Sequence, residues 1–139
     1  MNGLLLTLAI TITVGRLLAF QPAAAQVLPP AKKVERVDIT KGPELELATD
    51  HLTIIRWTTN NPGGPPDHFG IVHYSTDPHN LSQTAKSPIR LNPSHSSTIF
   101  RVRIQGLKPA TTYYYTVESE EANGKSDGVI SGVKRFTTE

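Results

Sequence analysis

The segment at residues 106–117 constrains the fold of this chain more than any other part of the sequence. Its alternate positions carry residues that suit one buried face: Leu107, Pro109, Thr111, Tyr113, Tyr115 and Val117. This alternation predicts a tight corner that leads into a strand with one buried side. A tyrosine at the start of such a strand buries its ring while its hydroxyl bonds the backbone a few residues upstream. The segment therefore predicts a tyrosine corner at Tyr113, a feature of Greek-key β-sandwiches.

The three consecutive tyrosines have different predicted roles. The alternation places Tyr113 and Tyr115 in the core and leaves Tyr114 facing outward. Trp57 falls on the inner face of an earlier strand by the same argument. These rings would also suit a carbohydrate-stacking platform, but the large area that each ring buries favours core packing.

The composition excludes several classes of function. The 14 basic and 12 acidic residues give a net charge of +2, and the basic residues are scattered, so neither nucleic acid nor an anionic membrane is an expected partner. The chain has no cysteine, which excludes disulfides, thiolate metal sites and a thiol nucleophile. A length of 139 residues leaves room for one domain of ordinary size.

The first 25 residues differ from the rest and predict a secretory signal peptide. An apolar run over residues 4–14 is followed by Arg16, a second apolar stretch and three alanines that end at Ala25. Cleavage after Ala25 would leave residues 26–33 as an extended, proline-containing linker. The alternative is a retained membrane anchor, although Arg16 leaves the apolar run short for a bilayer span. The leader predicts a secreted or extracytoplasmic protein, in the periplasm or at the cell surface, with no other membrane contact.

The chain beyond residue 33 consists of short alternating runs separated by turn residues. No capped segment with a 3.6-residue period occurs outside the leader. The predicted strands cover residues 34–39 with 44–49 (one broken edge strand), 52–59, 69–75, 81–91 (one or two weak edge strands), 98–105, the tyrosine strand and 129–138. This spacing predicts an all-β fold, a seven-stranded antiparallel Greek-key β-sandwich that occupies residues 34–139.

Several of these motifs resemble a known domain family. Trp57, Tyr74, the tyrosine corner and Phe136 stand where a fibronectin type III domain, with its immunoglobulin-like sandwich, has similar residues. The closer similarity is to the N-terminal domain of purple acid phosphatases. Its short motifs are matched by Trp57-Thr58-Thr59, Tyr74-Ser75-Thr76, Asn80-Leu81, the Gly-Leu-Lys-Pro-x-Thr-x-Tyr-Tyr-Tyr run from Gly106 to Tyr115, and Phe136-Thr137-Thr138. The resemblance covers nearly all of the chain after the linker, with Ala110 where the family usually has glycine.

This resemblance implies a module without its own catalytic centre. In purple acid phosphatases the dinuclear metal site belongs to a metallophosphoesterase domain that begins just after this module. The sequence stops at Glu139, where that domain would start. No metal ligand of the family matches a residue here, so we expect no catalytic residue, no metal site, no cofactor and no enzymatic activity.

The residues that best match metal-binding patterns are also residue types that are common in turns. Asp77-Pro78-His79 has the Asp-x-His pattern that opens many dinuclear metal sites, but no further ligand motif follows, and we predict a turn. The five histidines lack a short metal-binding spacing, and four of them lie in or beside predicted turns, so we predict that they are exposed. They are His51, His68, His73, His79 and His95.

Two arginines mark a predicted outward face. Arg101 and Arg103 alternate with apolar residues, and we expect them to lie beside Tyr114, Thr116 and Glu118 of a neighbouring strand. Such a face could bind an anionic partner, but cross-strand ion pairs and protection of a sheet edge are the favoured interpretation.

The sequence thus predicts a secreted or envelope-located, non-catalytic module for protein interaction or spacing. The expected contact elements are the Pro/Gly-rich loop at residues 60–67 and the turn at residues 76–80, because loops on a rigid scaffold carry most recognition. The expected partner is a protein or cell-envelope component of unknown identity. The alternative is a detached N-terminal domain of a metallophosphatase that lacks its own metal site and works with a metallophosphoesterase domain.

Overall fold

The computed structural model describes residues 29–49 and 51–139. The predicted leader at residues 1–25 lies outside the described residues, as do residues 26–28 of the predicted linker. Within the described part of the chain, no helix has the length and hydropathy needed to cross a membrane.

The described residues form eight strands in two antiparallel sheets. The strands are β1 (Ile39–Ala48), β2 (Thr53–Asn60), β3 (Asp67–Ser75), β4 (Gln83–Arg90), β5 (Ser97–Ile104), β6 (Thr112–Glu121), β7 (Ser126–Ile130) and β8 (Lys134–Thr137). The smaller sheet has the order β1–β2–β5, and the larger has the order β4–β3–β6–β7, with β8 also paired to β6. The predicted all-β antiparallel sandwich is confirmed.

The predicted last strand is divided, which is why eight strands form rather than seven. β7 ends at Ile130, and β8 begins at Lys134 along the same neighbour, β6. At the break, the Ser131 N–H donates to the Val117 carbonyl at 3.0 Å, and the Val117 N–H donates to Ser131 Oγ at 3.0 Å. A side-chain hydroxyl therefore takes the place of one backbone partner in the ladder.

The first edge strand is continuous, so the predicted break between its two halves is wrong. β1 passes through Gly42 and Pro43, while residues 34–38 precede it as non-strand backbone. Three register shifts against β2 absorb the irregularity, as bulges do at sheet edges. Gly42 has a φ of +84°, and a Cβ there would lie 2.9 Å from the Arg56 carbonyl oxygen.

The two sheets pack through apolar side chains over much of their shared interior. Trp57 and Phe100 lie on neighbouring strands of the smaller sheet and stack with ring centroids 5.2 Å apart. Gly70 faces them from β3, where an added Cβ would lie 3.1 Å from atoms of both rings, so glycine permits this close approach. The core cluster comprises Ile55, Trp57, Val72, Phe100, Val102, Ile104, Leu107, Tyr113, Tyr115, Val117 and Phe136.

The predicted tyrosine corner is present at the start of β6. The Lys108 N–H donates to the Tyr113 hydroxyl at 3.0 Å, five residues upstream along the chain. The Tyr113 ring is buried and stacks on Phe136 with centroids 5.7 Å apart. Tyr114 faces outward and is half-buried, so the different roles predicted for these tyrosines are confirmed.

The segment before β1 lies across one end of the sandwich. We call residues 31–37 the strap and this end the strap end; the opposite end, with Tyr113, is the corner end. The Gly64 N–H donates to the Ala31 carbonyl at 2.8 Å, and the Val34 N–H donates to the Pro62 carbonyl at 3.3 Å. A Cβ on Gly63 would lie 2.1 Å from the Lys32 carbonyl oxygen, so the strap crosses this loop where only glycine fits. The predicted boundary between linker and domain after residue 33 stays a prediction.

Candidate functional site

The interior of the sandwich at the strap end is polar. Strand alternation turns His68 on β3 and Ser119 on β6 inward, beside Asp127 on β7. His68 Nε2 lies 3.3 Å from Asp127 Oδ1, and these two side chains are 0% and 1% exposed. Ser119 Oγ donates to Asp127 Oδ2 at 2.7 Å. The prediction that His68 lies exposed beside a loop is wrong, because it occupies the first inward position of β3.

This cluster contains the residue types of a catalytic triad in an order that does not activate the serine. Nucleophilic activation requires a base on the serine hydroxyl, with the carboxylate behind that base. Here the Ser119 hydroxyl donates directly to Asp127, and His68 lies on the other oxygen of the same carboxylate. All three side chains are buried between the sheets, so the arrangement is a structural polar cluster.

A second polar contact fastens the strap to the larger sheet. The Lys33 ammonium donates to Glu121 Oε1 at 2.6 Å, and Asn123 donates to the other carboxylate oxygen at 3.2 Å. The hydrogen bond from Lys33 holds the pKa of Glu121 below its ordinary value, and it raises the pKa of Lys33 in return. The Glu121 side chain is only 7% exposed, so this ion pair closes the interior at the strap end.

The remaining histidines lie outside this cluster. His73 lies on β3 and faces outward, with Nε2 2.6 Å from Glu118 Oε1, whereas His68 faces inward on the same strand. His79 and His95 are exposed in loops, as predicted. Among residues 29–49 and 51–139, no group of three or more potential metal ligands is found.

The Asp77–Asn80 segment is a turn, as predicted. The His79 N–H donates to Asp77 Oδ1 at 2.9 Å, and the Asn80 N–H donates to the Asp77 carbonyl at 3.2 Å. The Asp77 side chain therefore satisfies the backbone of its own turn. Residues 76–80 are all exposed, so this predicted contact element is accessible.

The Pro/Gly-rich loop is largely committed to the fold. Asn61 is 7% exposed, and its Nδ2 donates to the carbonyls of Asn92 at 2.9 Å and His95 at 2.8 Å. Pro62 and Gly63 are buried under the strap. The sequence reveals the turn residues but not the chain segment that covers them, so the expectation of a free contact loop applies only to the exposed residues Pro65 and Asp67.

The outward arginines lie in a different sheet from the one predicted. β5 pairs with β2, so Arg101 and Arg103 do not lie beside the outer face of β6. Arg101 instead contacts Glu46 of β1 through Nε at 2.9 Å and through Nη2, and its guanidinium lowers the pKa of Glu46. The predicted ion pairing is confirmed for Arg101, with Glu46 as its partner, and stays a prediction for Arg103.

A patch on the outer face of the larger sheet escaped the sequence analysis. Asp67 and Phe69 on β3 lie directly opposite Arg90 and Pro88 on β4, and we call these four residues the ring-and-charge patch. They border a shallow pocket of about 320 Å³ that is also lined by His68, Ile89 and Ala122. In the sequence, these residues form two short segments with alternating positions, Asp67-x-Phe69 and Pro88-x-Arg90. The sequence does not show that the two segments pair, and only the fold gives their register.

Comparisons with known proteins support the architecture. The family model of the purple acid phosphatase N-terminal domain matches residues 42–138, and no catalytic domain is present in these 139 residues. A similar solved structure is the sensor domain of the anti-sigma factor RsgI4 from Pseudobacteroides cellulosolvens. It is 20% identical, with a TM-score of 0.50 over 73% of this chain and 88% of that one, a likeness that concerns the fold alone. No curated protein matches the chain significantly.

Proposed function

The chain belongs to the purple acid phosphatase N-terminal domain family, and we propose that it is a secreted or envelope-located, non-catalytic module for protein interaction or spacing. The family match supports this proposal because it covers the β-sandwich and not a metallophosphoesterase domain. The predicted leader supports the location. Contact with a partner uses the exposed turn at residues 76–80 and the outer sheet faces, since much of the Pro/Gly-rich loop is buried.

The path of the chain supports the proposed spacing role. Ala31 pairs with Gly64 at the strap end, whereas the Glu139 N–H donates to the Ala48 carbonyl at the corner end. The eight residues of β2 connect these ends, a length of about 26 Å at 3.3 Å per residue. A segment attached before the strap and one attached after Glu139 would therefore leave the sandwich at opposite ends.

The non-catalytic assignment is tested by a phosphatase assay on the purified chain. We expect no turnover of p-nitrophenyl phosphate after incubation with iron, zinc or manganese salts. Metal-dependent turnover that co-purifies with the chain would overturn the assignment. Mass spectrometry of the N-terminus tests the location: a start at Gln26 supports secretion, and an intact Met1 in the membrane fraction supports a retained anchor.

A second candidate function follows from the family itself. In purple acid phosphatases this domain precedes a metallophosphoesterase domain, so the chain could serve as a partner domain for such an enzyme. Titration of the labelled chain with a purified metallophosphoesterase domain of that family should then shift a contiguous set of amide resonances. Unchanged spectra at high micromolar concentrations would rule out this role for the domain tested, and the reading frame after Glu139 shows whether such a domain is encoded there.

A further inference from the structure

The ring-and-charge patch has the layout of a small polar ligand site on a sheet face. Directly opposite residues on paired antiparallel strands lie about 5 Å apart, and residues two apart along a strand lie about 7 Å apart. Asp67 with Arg90 forms one row of the patch, and Phe69 with Pro88 forms the next. The four side chains thus cover an area close to that of one six-membered sugar ring.

The charged row consists of two exposed side chains of opposite charge. Asp67 and Arg90 are both exposed, and within the described residues neither side chain forms an ion pair or a hydrogen bond, although they are direct cross-strand neighbours. By contrast, the neighbouring charges on the same face form an ion pair, with 2.6 Å between Lys86 Nζ and Glu120 Oε1. A carboxylate that can only accept hydrogen bonds and a guanidinium that can only donate them therefore lie together, each without a partner among residues 29–49 and 51–139.

The apolar row supplies a stacking surface beside these charges. Phe69 is half-buried and Pro88 is exposed, and both border the pocket of about 320 Å³. An aromatic ring and a proline ring offer flat apolar contact to the C–H face of a ligand. Small-ligand sites commonly combine an apolar surface with a few polar groups that fix the orientation of the ligand.

We propose that the ring-and-charge patch binds a neutral sugar ring of a glycan. Adjacent sugar hydroxyls donate to Asp67 and accept from Arg90 at the same time, while the C–H face of the ring stacks on Phe69 and Pro88. A phosphate or other anion is disfavoured by Asp67, and a cation is disfavoured by Arg90. The inference rests on the proposed interaction role and names a ligand class for it.

The test is an NMR titration of the purified, ¹⁵N-labelled chain with four neutral tetrasaccharides. The probes are cellotetraose, xylotetraose, chitotetraose and laminaritetraose, each added to about 10 mM. We expect at least one to give saturable shifts confined to residues 67–69, 88–90 and Ala122, with a Kd of about 1 mM or tighter. Absence of saturable shifts with all four sugars would overturn the proposal.

Substitutions show whether the patch is responsible. Phe69→Ala and Arg90→Met should each weaken binding about tenfold or more, with the NMR spectrum of the fold retained in Arg90→Met even if Phe69→Ala is unstable. Arg103→Met is the matched control, because it removes an exposed arginine from the other sheet with the same change of charge, and it should bind like the wild type. Equal weakening by Arg103→Met, or shifts that persist in Arg90→Met, would contradict the assignment.

A peptide ligand is the competing outcome. An uncharged acetylated Val-Tyr-Val amide that shifts the same amides while every tetrasaccharide fails would replace the glycan assignment by protein binding. Loss of glycan binding leaves the phosphatase assay and the titration with a metallophosphoesterase domain unaffected. The ligand class and the proposed function can therefore fail separately.

Discussion

The interior of the sandwich has different side-chain chemistry at its two ends. We call the interior at the corner end the corner half and the interior at the strap end the strap half. At the corner end, apolar rings pack around Tyr113, and its buried hydroxyl has a backbone partner in Lys108. At the strap end, the interior holds His68, Ser119 and Asp127, and three buried side-chain polar atoms there lack a hydrogen-bond partner within the described residues. These atoms are Thr59 Oγ1 and both ring nitrogens of His68; a fourth such atom, Trp57 Nε1, lies in the apolar core.

The two ends are therefore expected to contribute differently to folding, one to the stability of the fold and the other to the selection of a single native arrangement. Buried apolar area is the main favourable term in folding, whereas a buried polar group without good hydrogen bonds has a desolvation cost. His68 Nε2 is 3.3 Å from Asp127 Oδ1, a contact that lacks the geometry of a hydrogen bond. We therefore expect the corner half to supply most of the stability, and the strap half to restrict which arrangement the inner faces adopt.

The largest expected loss of stability tests the apolar core directly. Trp57→Ala removes the ring that stacks on Phe100 and faces Gly70, and the cavity should lower the free energy of unfolding by about 3–5 kcal/mol. Urea unfolding followed by circular dichroism measures the change. A midpoint equal to that of the wild type would show that the apolar core does not dominate stability.

Asp127→Ala tests the polar half. It removes the hydrogen-bond acceptor of Ser119 and the carboxylate beside His68 and leaves both polar groups buried, so we expect a loss of about 2–3 kcal/mol. The double variant His68→Leu with Asp127→Ala should recover part of that loss, because one unsatisfied group is gone. If the double variant loses the sum of both single effects, the desolvation argument for this half is wrong.

Tyr113→Phe sharpens the comparison by removing a buried hydroxyl that has a hydrogen-bond partner at the corner end. The ring still packs on Phe136, but the Lys108 N–H loses its partner, so we expect a loss of about 1–3 kcal/mol. Tyr114→Phe is the matched control, since that ring faces outward and half-buried on the same strand. An equal effect of both substitutions would remove the special role of the corner.

The same contrast explains how far the sequence alone was informative. The corner half follows from alternation and from one tyrosine, both local signals, so its core residues were predicted correctly. His68 and Asp127 lie far apart in sequence and look like turn or loop residues, and only the pairing of β3 with β6 and of β6 with β7 brings them together. The partner of Arg101 and the register of the ring-and-charge patch depend on strand order in the same way.

The smallest expected effect concerns the ion pair of Lys33 with Glu121, which closes the polar interior at the strap end. The pKa of Glu121 is lowered from its ordinary value of 4.5 chiefly by the hydrogen bond from Lys33, helped by Asn123 and Lys125. Its contribution to stability is therefore complete above about pH 4.5 and is lost as the pH falls through the lowered pKa. The raised pKa of Lys33 keeps the contribution intact up to at least pH 10.5, where it begins to be lost on further alkalinisation.

Amide hydrogen exchange can measure the local effect of this ion pair separately from the stability of the whole fold. Below about pH 4.5 the protection factors of the two amides that join the strap to residues 62–64, Val34 N–H and Gly64 N–H, should fall before those of β2 and β6, because release of Glu121 frees only the segment that crosses Gly63. Glu46 also has a lowered pKa, so global unfolding would shift in the same range, and the local measurement is needed. Lys33→Met should leave the strap weakly protected at every pH. A strap that keeps its pH response in this variant would show that another group holds it, and the polar half would then not depend on this ion pair for its closure.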